Sequence, residues 1–130
     1  MERFEEIVAR KRWIGQEYNR RLAGLKGLQL PVEEPWARNV YWMYGVVLAE
    51  ETGMDATIFA QRLKQHGIET RPFFLGLHEQ PVFHRRGLFV QERFPVTERI
   101  ARQGLYFPSG LALTAEQLDE VCAAVHEVLS

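Results

Sequence analysis

The run Asn39-Val40-Tyr41-Trp42-Met43-Tyr44-Gly45-Val46-Val47-Leu48 narrows the possible folds more than any other stretch of the chain. It is almost wholly apolar and rich in aromatic and β-branched residues, which suit a pleated, packed surface. A strand with alternating polarity can leave one face to water, but a continuous apolar one cannot. This strand is therefore expected to be interior or covered on both faces. The cover has to come from the flanking sequence, and the flanks read as helices. Residues 2–23 place Phe4, Ile7, Val8, Lys11, Ile14, Tyr18 and Leu22 at spacings of three and four, with charged residues on the other side. Such a helix is about 30 Å long at roughly 1.5 Å per residue. Gly24 and Gly27 mark its end. No N-capping residue precedes it, so it starts as though it continued from earlier chain.

Residues 24–38, punctuated by Gly24, Gly27, Pro31 and Pro35, read as a connector. Beyond the apolar run, Asp55 predicts a helix N-cap, with Met54 and Phe59 as a hydrophobic staple. Ile58, Phe59, Arg62, Leu63 and His66 keep the helical spacing, and Gly67 closes the helix. Residues 68–74 then predict a second strand. Pro72 cannot donate to a ladder, so this is an edge strand or a strand entering a loop. Alternation would turn Arg71 and Phe73 to one face and Phe74 to the other. Residues 75–93 are irregular and read as a long loop. Residues 95–103 predict a short helix with Pro95 at its start, and residues 105–107 a third short strand ended by Pro108-Ser109-Gly110. The last helix is the most fully specified. Thr114 and Gln117 form a capping box, Leu113 and Leu118 a staple, and Leu118, Val121, Cys122, Val125 and Leu129 a buried stripe. These patterns predict a single α+β domain over residues 1–130: a small three-stranded sheet with helices packed on one face and a long N-terminal helix.

A chain of 130 residues, 46% hydrophobic and 25% charged, can bury a core and is not disordered in composition. A formal net charge of -1 gives no general pull toward nucleic acid or anionic lipid. The single cysteine, Cys122, excludes an internal disulfide and suits a reducing compartment. No apolar run is long enough to span a bilayer, and the acidic N-terminus lacks a signal peptide's apolar centre. A cytoplasmic location is expected.

The residues themselves show no catalytic constellation. His66, His78, His84 and His126 are scattered, with no metal-site spacing. Cys122 sits inside a helical apolar stripe, where a packing role outweighs a nucleophilic one. Neither Ser109 nor Ser130 lies in a nucleophile elbow, and no glycine pattern resembles a phosphate loop. The lysines Lys11, Lys26 and Lys64 fall on helices or a turn, outside any apolar pocket that would depress a pKa for imine formation. What remains is the stretch from Gly67 to Pro81, which sets Arg71, Phe73 and Phe74 on a sheet edge with His78 just beyond. Such a set suits a flat anionic ligand. The plainer reading, that the aromatics belong to the core and Arg71 to solvent, stays open.

Six segments, in order, resemble the C-terminal small domain of the DegT/DnrJ/EryC1/StrS sugar-nucleotide aminotransferases. They are Glu2 to Arg12, Asn39 to Tyr44, Gly67 to Phe74, His78 to Pro81, Phe94 to Ala101 and Phe107 to Thr114. The wording of Tyr41-Trp42-Met43-Tyr44 and Arg71-Pro72-Phe73-Phe74 is most similar to the perosamine synthase branch. Many relatives carry histidine where Phe73 stands. The resemblance implies a fold-type I pyridoxal-phosphate enzyme that moves an amino group from glutamate to the C4 ketone of a GDP-4-keto-6-deoxy sugar, as a homodimer in the full-length enzyme. It further implies that the cofactor lysine and most phosphate contacts belong to a large domain preceding Met1. This chain is then expected to hold no catalytic residue, no metal and no cofactor of its own. Its part is to close the substrate side of the site with Arg71, Phe73, Phe74 and His78. Two other readings compete: a free-standing dimerisation or binding module, and single-stranded RNA binding, which the near-neutral charge disfavours.

Overall fold

The computed structural model describes residues 2–130. Helix α1 spans Phe4–Arg21, strand β1 Leu28–Gln29 and strand β2 Tyr44–Leu48. Helix α2 covers Ala56–Gln65, strand β3 Arg71–Pro72 and the short helix α3 Pro81–His84. Helix α4 (Pro95–Gln103), strand β4 (Gly104–Phe107) and helix α5 (Ala115–Leu129) complete the chain. The strands form one antiparallel sheet of order β1-β2-β4-β3.

The fold is α+β, with one strand more than the three expected among the described residues. The extra strand, β1, lies inside the predicted connector, where Leu28 pairs with Leu48 and Gln29 with Val47. Two residues between Gly27 and Pro31 leave no periodicity to read. The apolar run behaves as its composition demands only at its C-terminal half. Tyr44, Val46 and Leu48 are buried on one face, while Gly45 and Val47 are partly covered on the other. The first half is loop, and Trp42 is 68% exposed.

The core lies between the Tyr44/Val46/Leu48 face and helices α1, α2 and α5. Ile14, Tyr18 and Leu22 come from α1, Phe59 and Leu63 from α2, and Leu118, Val121 and Val125 from α5. The α1 stripe is covered only from Val8 onward, since Phe4 and Ile7 remain exposed. Burial pushes the Cys122 thiol up to about 11, so it packs as a small protonated hydrophobe. The predicted caps are formed. The Asp55 carboxylate accepts from the Ile58 amide. Gly67, at φ +77°, supplies the left-handed residue that lets Ile68 N–H reach Leu63 and Gly67 N–H reach Lys64. Thr114 and Gln117 bond each other's backbone amides at 3.3 and 3.0 Å. Replacing Thr114 with alanine removes one half of that box. It is expected to lower stability by about 1 kcal/mol in urea denaturation, with an unchanged m-value.

Candidate substrate groove

The site is built on the edge of the sheet. After α2 ends at its glycine, the chain turns alongside β4, placing Arg71 opposite Tyr106 and Pro72 opposite Leu105. Phe73 N–H adds one more bond to the Gly104 carbonyl, at 3.1 Å. The ladder is much shorter than the seven-residue strand expected over 68–74, and the predicted alternation ends with it. Phe73 and Phe74 do not diverge. Their ring centroids lie 4.4 and 6.3 Å from that of Tyr106.

A groove of about 520 Å³ opens here, bounded by Trp42, Met43, Arg71, Phe73, Phe74 and Tyr106. Among the described residues, Arg71 is its one cation and none that lines it is acidic. The Arg71 side chain is exposed and forms no ion pair among the described residues. Phe74 is 73% exposed. A free guanidinium rimmed by exposed aromatic rings offers a bidentate donor to phosphate or carboxylate and flat apolar faces beside it. A smaller hollow of about 180 Å³, containing Glu69, Thr70 and Ser109, adjoins it on the other side of Arg71.

The fourth predicted residue lies elsewhere. His78 sits in a 3₁₀ turn, Leu77–Glu79, and is only 7% exposed. Its ring packs on Phe94 with centroids 4.8 Å apart. Its Nε2 is 3.3 Å from Glu98 Oε1, without hydrogen-bond alignment. The irregular stretch around it is therefore not one loop: it carries that turn and α3. Glu98 ties the region together by accepting from the Arg93 guanidinium and the Phe94 amide, and these bonds hold its carboxyl down at about 2. A carboxyl depressed in the folded state contributes stability that is present above its unfolded pKa. That stability is lost as the pH falls through the folded value, here between about pH 5 and 2. Glu98→Gln is accordingly expected to flatten the acid limb of a melting-temperature profile over that window.

Sequence reasoning did not single out Trp42, Met43 or Tyr106 as groove residues. The signal for Tyr106 was present, because it alternates with the buried Leu105 and Phe107 and so faces the other side of the sheet. Lys11 lies on α1 as expected, but its surroundings differ from expectation. Its ammonium donates to the carbonyls of Trp42 and Ser109, clipping both loops to α1, and partial burial lowers its pKa.

The DegT/DnrJ/EryC1/StrS aminotransferase family matches residues 1–126. The chain belongs to that family. Among curated DegT/DnrJ/EryC1/StrS relatives, GDP-perosamine synthase of Vibrio cholerae is 29% identical over 125 residues, covering 96% of this chain and 33% of that protein. GDP-perosamine synthase of Caulobacter vibrioides is 31% identical over 126 residues, with 96% and 33% covered. Among solved structures, S. venezuelae DesV in complex with a ketimine intermediate superposes with a TM-score of 0.85 at 26% identity, over 98% of this chain and 33% of that one. The aminotransferase TlmJ from Streptoalloteichus hindustanus gives 0.82 at 26%, with the same coverage. The chain thus spans about a third of the length of these DegT/DnrJ/EryC1/StrS proteins. No helix is long and apolar enough to cross a membrane among the described residues.

Proposed function

We propose that the chain is the C-terminal small domain of a cytoplasmic, pyridoxal-phosphate-dependent sugar-nucleotide aminotransferase, and that it closes the substrate side of the active site without being catalytic alone. The observation that carries this reading is the unpaired Arg71 in an acid-free, aromatic groove at the sheet edge. The relatives named GDP-perosamine synthase favour a GDP-linked sugar as the substrate, and a 4-keto-6-deoxy acceptor with glutamate as amino donor rests on the family resemblance. The homodimeric state of the complete enzyme rests on the family resemblance.

Within this reading Arg71 binds the substrate's anionic part, while Phe74 and Trp42 pack on it and keep water out. Phe73 lies at the floor, and His78 holds the neighbouring turn in place behind the groove. Bound in the complete enzyme, pyridoxal phosphate supplies the electron sink. The residues that line this groove do not fit that group. No lysine lines the groove. Lys11 is spent on two carbonyls. Of the two aspartates, Asp55 caps α2 and Asp119 pairs with Arg21. Adding pyridoxal phosphate to the purified chain is expected to give no specific imine absorbance, whereas titrating GDP is expected to change tryptophan emission saturably. A saturable imine band, or no GDP response in the wild-type chain, overturns the reading.

A further inference from the structure

We propose that Phe73 is a positioning residue, a wedge whose ring seats in a notch made by Gly45 and Gly104 and thereby sets where Arg71 and Phe74 stand. The proposal deepens the reading of the Arg71 groove and takes its functional meaning from it. The geometry stands apart from that reading. Gly45 on β2 and Gly104 on β4 lie on the same face of the sheet, next to Tyr106. A Cβ on Gly45 would come within 2.8 Å of Phe73 Cζ. One on Gly104 would come within 2.3 Å of Phe73 Cδ2 and 2.5 Å of the Ile100 carbonyl. Real Cβ atoms do not approach so closely, so the ring fills the space that two missing side chains leave. On its other flank it meets the Tyr106 ring, at 4.4 Å and 30°.

This seat matters because little else fixes the strand. β3 contributes two paired residues, one of them a proline with no N–H to give. Phe73 N–H adds the last bond to β4, and the chain then departs. Arg71 and Phe74 project from a segment held mainly by the ring between them. A ring in a close-packed notch has one position, and a residue that loses it has several.

The test reads amide hydrogen exchange and nitrogen-15 spectra of the 130-residue chain. Gly45→Ala is the sharper variant, because its new methyl meets the Phe73 and Tyr106 rings and no backbone carbonyl. The expected result is exchange of the Phe73 amide at least tenfold faster, with shifted Arg71 and Phe74 signals and unchanged protection in α1 and α5. Adding Phe73→Leu to Gly45→Ala frees room for the methyl and is expected to restore most of the protection, which a general loss of stability would not allow. Unchanged Phe73 exchange in Gly45→Ala, or no rescue in the double variant, overturns the proposal. GDP binding by the wild-type chain and its loss in Arg71→Ala judge the substrate reading separately.

Discussion

Tyr44→Ala is expected to cost about 3–5 kcal/mol, a large part of the stability of a domain this size, seen as a lower urea midpoint. Tyr44 is fully buried at the centre of the aromatic stack. Its ring lies 4.6 Å from Tyr18 and 6.2 Å from Phe107, and these rings join β2, β4 and α1. Its hydroxyl donates to Asn19 Oδ1 at 2.6 Å, and the Asn19 amide donates in turn to the Tyr41 hydroxyl. Burial raises the Tyr44 pKa far above the ordinary range, so the hydroxyl stays a donor at any working pH. Tyr44→Phe separates the two contributions. It keeps the ring but strands a polar atom of Asn19, and is expected to cost about 1–3 kcal/mol. Equal losses in both variants would place the energy in the hydroxyl network; a much smaller loss in Tyr44→Phe places it in the packing.

On the proposed reading, Arg71→Ala in the complete aminotransferase is expected to raise the KM for a nucleotide sugar roughly 10- to 150-fold. That is the span of about 1.5–3 kcal/mol for a hydrogen bond to a charged group. The cofactor's absorbance should not move, because no lysine or aspartate lines the groove that Arg71 faces. Arg71→Lys keeps the charge but loses the planar fork, so it is expected to recover only part of the affinity. Loss of cofactor absorbance in Arg71→Ala would assign Arg71 to the cofactor instead of the substrate. The nearby Tyr106, whose ring lines the groove beside it, supplies a contrasting variant: Tyr106→Phe keeps the stack on Phe73 and should leave KM within a few-fold of wild type.

The parts of the fold legible in the sequence are those where local chemistry and packing ask for the same thing. Helix α5 carries its cap, staple and stripe in consecutive residues, and α2 carries Asp55 at one end and Gly67 at the other. Pro72 announced the sheet edge, because a missing N–H cannot be repaired by tertiary context. β1 was hidden because two residues show no period, and its pairing depends on Leu48 and Val47, twenty residues away. The burial of His78 was hidden for a related reason. Its neighbours in sequence suggest a loop, but Phe94 and Glu98, which bury it, come from a later helix start. Arg71 and Phe74 could be picked out by type and place. That the Phe73 ring seats against Gly45 and Gly104 could not, since those glycines sit 28 residues before it and 31 after it in the numbering.

Both margins of the sheet are closed to strangers. On one side β3 presents two paired residues, one of them a proline; on the other β1 is equally brief. A passing peptide seeking a backbone ladder finds no run of free amides to zip against. Folded copies of this chain would therefore associate through exposed rings such as Trp36 and Trp42, which are 84% and 68% exposed, and not through their strands. Concentrated solutions should accordingly cloud with a hydrophobic, dye-binding but non-fibrillar precipitate.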